Sequence, residues 1–124
     1  LKAMLASLPQ TISIFTNSDI NHTQRVLGAI GIRSTIYSII DIRALNFYSK
    51  PNPEAYRRAL HLIGDPPPEN CLLIDDSHKN LDPGAEFNMH TLWVQEDNSA
   101  SSQHTRIAQL CQLPETMPEL WFPG

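Results

Sequence analysis

Four short apolar runs, rich in β-branched residues, alternate along this chain with segments whose apolar residues recur at helical spacing. The runs are residues 11–16 (TISIFT), 35–40 (TIYSII), 71–75 (CLLID) and 89–94 (MHTLWV). Each is shorter than a typical helix and carries little charge, so each predicts a buried strand. Between the first two, Ile20, Val26, Leu27 and Ile30 fit one helical face, closed by Gly31. Asn52-Pro53-Glu54 is a helix start, with Asn as N-cap, Pro at the first helical position and an acid in the first turn. Ala55, Tyr56, Ala59, Leu60 and Ile63 form its apolar face and Gly64 ends it. Residues 77–87 predict another helix. Pro83 is tolerable there only near the first turn, so a late start or a kink is expected. A helix over residues 1–8 stopped by Pro9, a last helix over 104–113 and an irregular tail over 114–124 complete the pattern. Residues 41–50, 65–69 (with three consecutive prolines) and 95–102 are expected to be loops.

Parallel strands cannot be joined by tight turns and need crossover segments, which helices supply. The alternation therefore predicts an α/β fold, a Rossmann-like parallel sheet with helices on both faces. The chain's 124 residues suffice for one hydrophobic core, with about two-thirds of the unfolded surface buried, so residues 1–124 are expected to form a single domain.

Composition narrows the function classes. Lysine and arginine total 9 against 13 acids, a net charge of −4, and no basic cluster stands out. Electrostatic binding of a nucleic acid polymer or an anionic membrane is disfavoured. No apolar run reaches the roughly 18 residues that span a bilayer. Cys71 and Cys111 make neither a disulfide framework nor a zinc site, so a reducing compartment, the cytoplasm or the nucleus, is expected. The five histidines lack metal-ligand spacing. Cys71 is expected to be a small buried hydrophobe, and Trp93 and Trp121 to be packing residues.

In open parallel sheets functional groups gather at the carboxyl ends of the strands. Thr16-Asn17-Ser18 follows the first strand. Asp75-Asp76-Ser77, then Asn80, follows the third. Ser49-Lys50-Pro51 precedes the helix at 52–64. A hydroxyl with neighbouring backbone N–H groups can bind phosphate oxygens, and a lysine adds a point cation. A carboxylate pair can hold Mg²⁺, which takes one or two carboxylates with water and phosphate oxygens. Each piece alone has an ordinary reading. Thr16 suits any strand end, Lys50 suits any surface, and paired acids suit a helix N-terminus. The joint occurrence in this order is what carries weight, and Thr16, Lys50, Asp75 and Asp76 are expected to converge on one rim.

With these residues in hand, the chain resembles the haloacid dehalogenase-like phosphohydrolases, in particular their pyrimidine 5′-nucleotidase-type branch. Ile14-Phe15-Thr16-Asn17-Ser18 with His22 and Arg25-Val26-Leu27 is similar to that branch's second motif. Tyr48-Ser49-Lys50-Pro51-Asn52-Pro53-Glu54-Ala55-Tyr56 is similar to the third, and Leu73-Ile74-Asp75-Asp76-Ser77 with Asn80 to the fourth. Pro118-Glu119-Leu120-Trp121 has the same flavour. A receiver domain also uses paired acids and a lysine, but there the lysine follows the acids; here it precedes them.

The resemblance implies a Mg²⁺-dependent phosphomonoester hydrolase that works through a phosphorylated aspartate, with a small nucleotide-like metabolite as substrate. It implies that Thr16 binds the transferring phosphoryl group, that Asn17 supports it and that Lys50 balances charge. It implies Asp76 as the direct Mg²⁺ ligand with Asp75 beside it, and Ser77 and Asn80 as supports of the acidic turn. Two departures stand out. No Asp-x-Asp nucleophile motif occurs anywhere in the chain. The helical cap that shapes the family's substrate pocket also has no counterpart apart from whatever Leu1–Leu8 represents. Gly84 and Asn88 replace the family's more usual Ala and Gly. The chain is therefore expected to be a C-terminal part that lacks the central nucleophile strand, between the strands at 11–16 and 71–75. It is expected to be inactive alone and prone to self-association through strand edges. The alternative is a non-catalytic truncated α/β module.

Overall fold

Side-chain alternation along each strand sorts the core into two layers. The computed structural model describes residues 1–122; the last two residues of the 114–124 tail lie outside the described residues. The elements run α1 (Lys2–Ser7), β1 (Ser13–Phe15), α2 (Ile20–Ala29), β2 (Ser38–Ile40), α3 (Pro53–Leu62), β3 (Leu72–Asp75), α4 (His78–Glu86), β4 (His90–Val94), β5 (Thr105–Ile107) and α5 (Leu113–Thr116). Phe15, Ile40, Leu73 and Trp93 point to one face and pack with Ala55, Tyr56 and Ala59 of α3 and Leu81 of α4. Ile14 and Ile39 point to the other face, toward Leu5 of α1 and Leu27 of α2. Leu72, Ile74, Leu92 and Val94 share that second face with Ile107 and Leu113.

All strand pairs are parallel, as the alternation predicts. β1 pairs with β2, Ser13 opposite Ser38, and the two hydroxyls hydrogen-bond at 2.7 Å. β3 pairs with β4, Asp75 opposite Trp93, and β4 pairs with β5. The result is a two-stranded sheet and a three-stranded sheet, with no ladder joining β1 to β3 among the described residues. Three contacts tie the sheets across this seam. Met4 and Leu8, in and just after α1, pack against the clusters of both sheets on one face. The Tyr56 cluster spans both on the other face. The third contact, at Lys50, belongs to the site. β1, read as buried, is only partly so along its length. The reason is geometric: one of its edges has no strand neighbour among the described residues.

The helix starts follow their capping chemistry. Asn52 Oδ1 accepts the Glu54 N–H at 2.9 Å, and Asp19 Oδ1 accepts the His22 N–H at 2.8 Å. Gly31 and Gly64 follow α2 and α3 at φ +78° and +100°. Ile63, assigned to the apolar face of α3, is exposed just past its end.

Four expectations need correction. The segment 104–113 is not one helix. Its apolar residues at 107, 110 and 113 mimic helical spacing, but Thr105–Ile107 pair with the free edge of β4 instead. Edge pairing and β-branched side chains outweigh local propensity there. The tail carries the helical turns Leu113–Thr116 and Pro118–Leu120 rather than irregular chain. Third, α4 does not start late: Pro83 lies inside it and is buried with Leu81 and Gly84. Packing of that face offsets the missing N–H. Cys71 is half-exposed rather than buried, although partial burial still pushes its thiol pKa up. Among the described residues, no helix is long and apolar enough to cross a membrane.

Gly84 is the closest approach of α4 to the sheet. A Cβ there would lie 2.7 Å from Leu73 Cδ2, and Leu73 is itself part of the core. The better helix propensity of alanine offsets only part of that overlap. Gly84→Ala is expected to destabilise the fold by about 1 kcal/mol in chemical denaturation. Asn88, at φ 71°, takes the left-handed position after α4 that a glycine would otherwise fill.

Candidate functional site

The carboxyl ends of β1 and β3 lie side by side across the seam, and Lys50 fills the space between them. Its Nζ donates to the Phe15 carbonyl at 2.8 Å and to Asp75 Oδ2 at 3.0 Å. Both side chains of the ion pair are only 9% exposed. The ammonium also sits 4.7 Å from the Phe15 ring centroid, a cation–π contact. The lysine backbone is fixed as well. Asn17 Oδ1 accepts the Lys50 N–H at 2.8 Å, and Asn17 Nδ2 donates to the Lys50 carbonyl at 3.3 Å. The expected convergence of β1, β3 and the segment before α3 is therefore present.

Asp75 spends both carboxylate oxygens on the protein, Oδ2 on Lys50 and Oδ1 on the Ser77 N–H at 2.8 Å. Asp76 is exposed, and its carboxylate has no protein hydrogen bond or ion pair among the described residues. Its backbone carbonyl accepts from Trp93 Nε1 at 2.9 Å. Thr16 Oγ1 accepts the Ser18 N–H at 3.0 Å, which leaves its hydroxyl proton free to be donated. Ser77 and Asn80 contribute backbone groups to the acidic turn. The Ser77 N–H binds Asp75, and the Asn80 carbonyl accepts the Tyr56 hydroxyl. Burial, followed by the charges of Asp75 and Asp82, pushes the Tyr56 pKa up, so Tyr56 remains a donor.

The two strand ends and the segment before α3 thus carry one hydroxyl donor, one fixed ammonium, one satisfied carboxylate and one free carboxylate. Asn17, expected to support phosphate, is occupied with the Lys50 backbone. Sequence reasoning missed three supports. Sequence alone gives Tyr56 as a core and motif residue and Trp93 as packing, with no sign of their hydrogen bonds. It does not mark Asp41, which is buried and accepts the Ile20 N–H at 3.0 Å and the Ala44 N–H at 2.9 Å. Only Asp41 left a local trace, as an acid directly after a strand and before a turn.

Away from this rim, His104 is buried between two partners, with Nε2 2.7 Å from Asp82 Oδ1 and Nδ1 2.7 Å from Thr91 Oγ1. Hydrogen bonds from His104 and Gln103 hold the Asp82 carboxyl below its ordinary value of 3.8. This network ties α4 to β4 and to the start of β5.

Removing the Lys50 charge leaves Asp75 buried beside a carbonyl. Lys50→Met is expected to cost about 3–5 kcal/mol in chemical denaturation. Most of that is expected to return in the Lys50→Met, Asp75→Asn double variant. Asp82 has a depressed folded-state pKa, so its contribution is present above the unfolded-state value and lost as pH falls through the folded-state value. The stability gap between wild type and Asp82→Asn should therefore be widest near neutral pH and close below pH 3.8, measured by denaturation across pH.

Comparison with known proteins gives the family and the fold. The family model for haloacid dehalogenase-like hydrolases matches residues 1–88. The magnesium-bound YfnB protein of Bacillus subtilis superposes with a TM-score of 0.75 at 21% identity, over 87% of this chain and 48% of that one. The L-2-haloacid dehalogenase of Xanthobacter autotrophicus gives 0.78 at 16% identity, over 94% and 59%. The HAD phosphatase of Thermococcus onnurineus gives 0.72 at 16% identity, over 86% and 50%. The chain spans about half the length of these structures. At these identities the likeness is one of fold, an α/β architecture of parallel strands and helices, while the family match rests on the sequence itself. The chain belongs to the haloacid dehalogenase-like hydrolases.

Proposed function

We propose that this chain supplies the phosphate- and Mg²⁺-binding half of a phosphomonoester hydrolase acting on a small nucleotide-like substrate, a pyrimidine nucleoside 5′-monophosphate by resemblance. The observation that carries the reading is the placement of Lys50 Nζ between the Phe15 carbonyl and Asp75, with the free Asp76 carboxylate next along the chain. Two carboxylates against one ammonium leave this rim negative, which repels a phosphate dianion. A hard divalent cation reverses that sign.

The donor set fits Mg²⁺ in the form that shares its shell. Among the described residues no three His, Cys, Asp or Glu side chains cluster to hold a metal by themselves. One or two carboxylates, completed by water and substrate phosphate, is the usual arrangement for this ion. Asp76 is the direct ligand in this reading because its oxygens are free; Asp75 supports through its own hydrogen bonds. When bound, Mg²⁺ supplies charge neutralisation for phosphate oxygens. The chain's own residues do the rest. The Thr16 hydroxyl donates to a phosphoryl oxygen. Lys50 holds a positive charge at a fixed point on the rim, where preorganised charge costs no rearrangement. Asn17 keeps the Lys50 backbone in place.

The nucleophile of such a reaction is an aspartate carried by a segment with an Asp-x-Asp-x-Thr motif that enters the seam between β1 and β3. Unpaired edges there also make self-association of the isolated chain an expected property. The second reading is a folded module without catalysis, and it holds if no such segment accompanies this chain. The test is hydrolysis of a generic phosphomonoester with Mg²⁺, by the chain alone and with a strand-forming segment bearing that motif. No turnover alone, turnover on complementation and a loss of at least about 100-fold in Asp76→Ala are expected. Turnover by the chain alone would overturn the nucleophile assignment. Failure of any complementing segment would favour the non-catalytic module.

A further inference from the structure

The free Asp76 carboxylate has to be aimed by something other than its own contacts, because it makes none among the described residues. Its direction is set by the backbone, and above all by the peptide unit that joins Asp76 to Ser77. That unit is held at both ends. Its N–H, belonging to Ser77, is bound by Asp75 Oδ1 at 2.8 Å. Its C=O, belonging to Asp76, is bound by Trp93 Nε1 at 2.9 Å. In a trans peptide these groups point in opposite directions, so the two bonds fix the plane as a clamp fixes a plate. One jaw is the ion pair across the seam, since Asp75 is in turn held by Lys50. The other jaw is an indole on the neighbouring strand.

That second jaw is rigid. Trp93 lies opposite Asp75 in the β3–β4 register and is 4% exposed. Its ring meets the His78 ring edge-on at 5.3 Å, at the first residue of α4. The indole N–H can only donate, and the Asp76 carbonyl is its acceptor. Buried as it is, the indole N–H needs an acceptor, and the one it takes lies in the turn that carries the acids.

We infer that Trp93 is a positioning residue for Asp76: its indole N–H orients the Asp76–Ser77 peptide so that the carboxylate faces the rim. The inference rests on the reading of Asp76 as the metal ligand, and it adds a residue that reaches the cation only through another.

The chain has two tryptophans, and the second, Trp121, bonds Ser7 Oγ at 2.7 Å between α1 and the tail. Trp121→Phe therefore serves as background and control. In the metal-free 124-residue chain, the Trp93 indole N–H should exchange slowly with solvent by NMR, and the Ser77 amide should exchange faster in Trp93→Phe than in wild type. Titration with Mg²⁺ alone should shift the Trp93 indole resonance. Mg²⁺ affinity by calorimetry should fall about tenfold in Trp93→Phe and stay unchanged in Trp121→Phe, the scale of one lost hydrogen bond. Should Trp93→Phe not fold, a benzothienylalanine at position 93 keeps the ring shape without the N–H and is expected to show the same loss.

Unchanged Mg²⁺ affinity in a folded variant without the N–H would overturn the inference and leave the proposed metal site standing. If the wild-type chain binds no Mg²⁺, the metal reading of Asp76 falls, and the positioning of a metal ligand falls with it. A fast-exchanging indole N–H, or a Ser77 amide indifferent to the substitution, would overturn the clamp in either case.

Discussion

Lys50 and Asp75 form the interaction on which the rest of this structure depends. Two parallel sheets lie side by side without a shared ladder among the described residues, and at their carboxyl ends the ammonium of Lys50 joins a β1 carbonyl to a β3 carboxylate. A buried ion pair seldom adds much net stability, because desolvation consumes most of the attraction. Its effect here is positional. Each partner is committed to a second contact, Lys50 to Phe15 and Asp75 to Ser77, so the pair sets where β1 ends relative to the acidic turn. The pair is itself neutral, so the electrostatic sign of the rim is left to the carboxylate of Asp76. Stability and the proposed chemistry therefore draw on one contact, and a single substitution at either partner affects both.

The layers explain why two sheets can be held at all. Tyr56 illustrates one face: its ring meets Phe15 of β1 edge-on at 5.2 Å and stacks on Phe87, just after α4, with centroids 6.4 Å apart. Its hydroxyl reaches the Asn80 carbonyl in the first turn of α4. A single aromatic thus ties the sheet, the helix and the turn that carries the acids. On the opposite face, the short helix α1 performs a similar task with aliphatic side chains, Met4 and Leu8 touching the clusters of both sheets. Apolar burial is non-directional and fills the faces. The directional bonds of Lys50, Trp93 and Tyr56 decide the angles at the rim.

Much of this was legible along the chain, for identifiable reasons. Asn52-Pro53-Glu54 specified a helix start through contacts within three residues, and α3 begins there. Residues 71–75 read as a buried strand from their apolar run, and the pleat of that strand sends Leu73 to one core cluster and Leu72 and Ile74 to the other. Thr16, Lys50 and Asp75 could be anticipated together because parallel α/β topology brings strand ends to one side. The segment 104–113 was misread because its apolar spacing satisfies a helix about as well as a strand followed by turns. The free edge of β4 settles that choice, and no residue within the segment records it. Trp93 as a donor was invisible for a similar reason. Its acceptor lies 17 positions away and comes within reach only through the β3–β4 register.

By itself, the sequence determined the strand–helix alternation, the capping of α2 and α3, the parallel class of the sheet and the residue types available for a phosphate-and-cation rim. These follow from propensity, periodicity and local hydrogen bonding, whose range is a few residues. Tertiary structure alone decided that Asn17 grips Lys50 rather than facing outward, that Asp75 is satisfied while Asp76 is free, and that Pro83 lies inside a helix. Each of these depends on which distant groups compete for the same donor, acceptor or volume, and that competition exists only once the layers have packed.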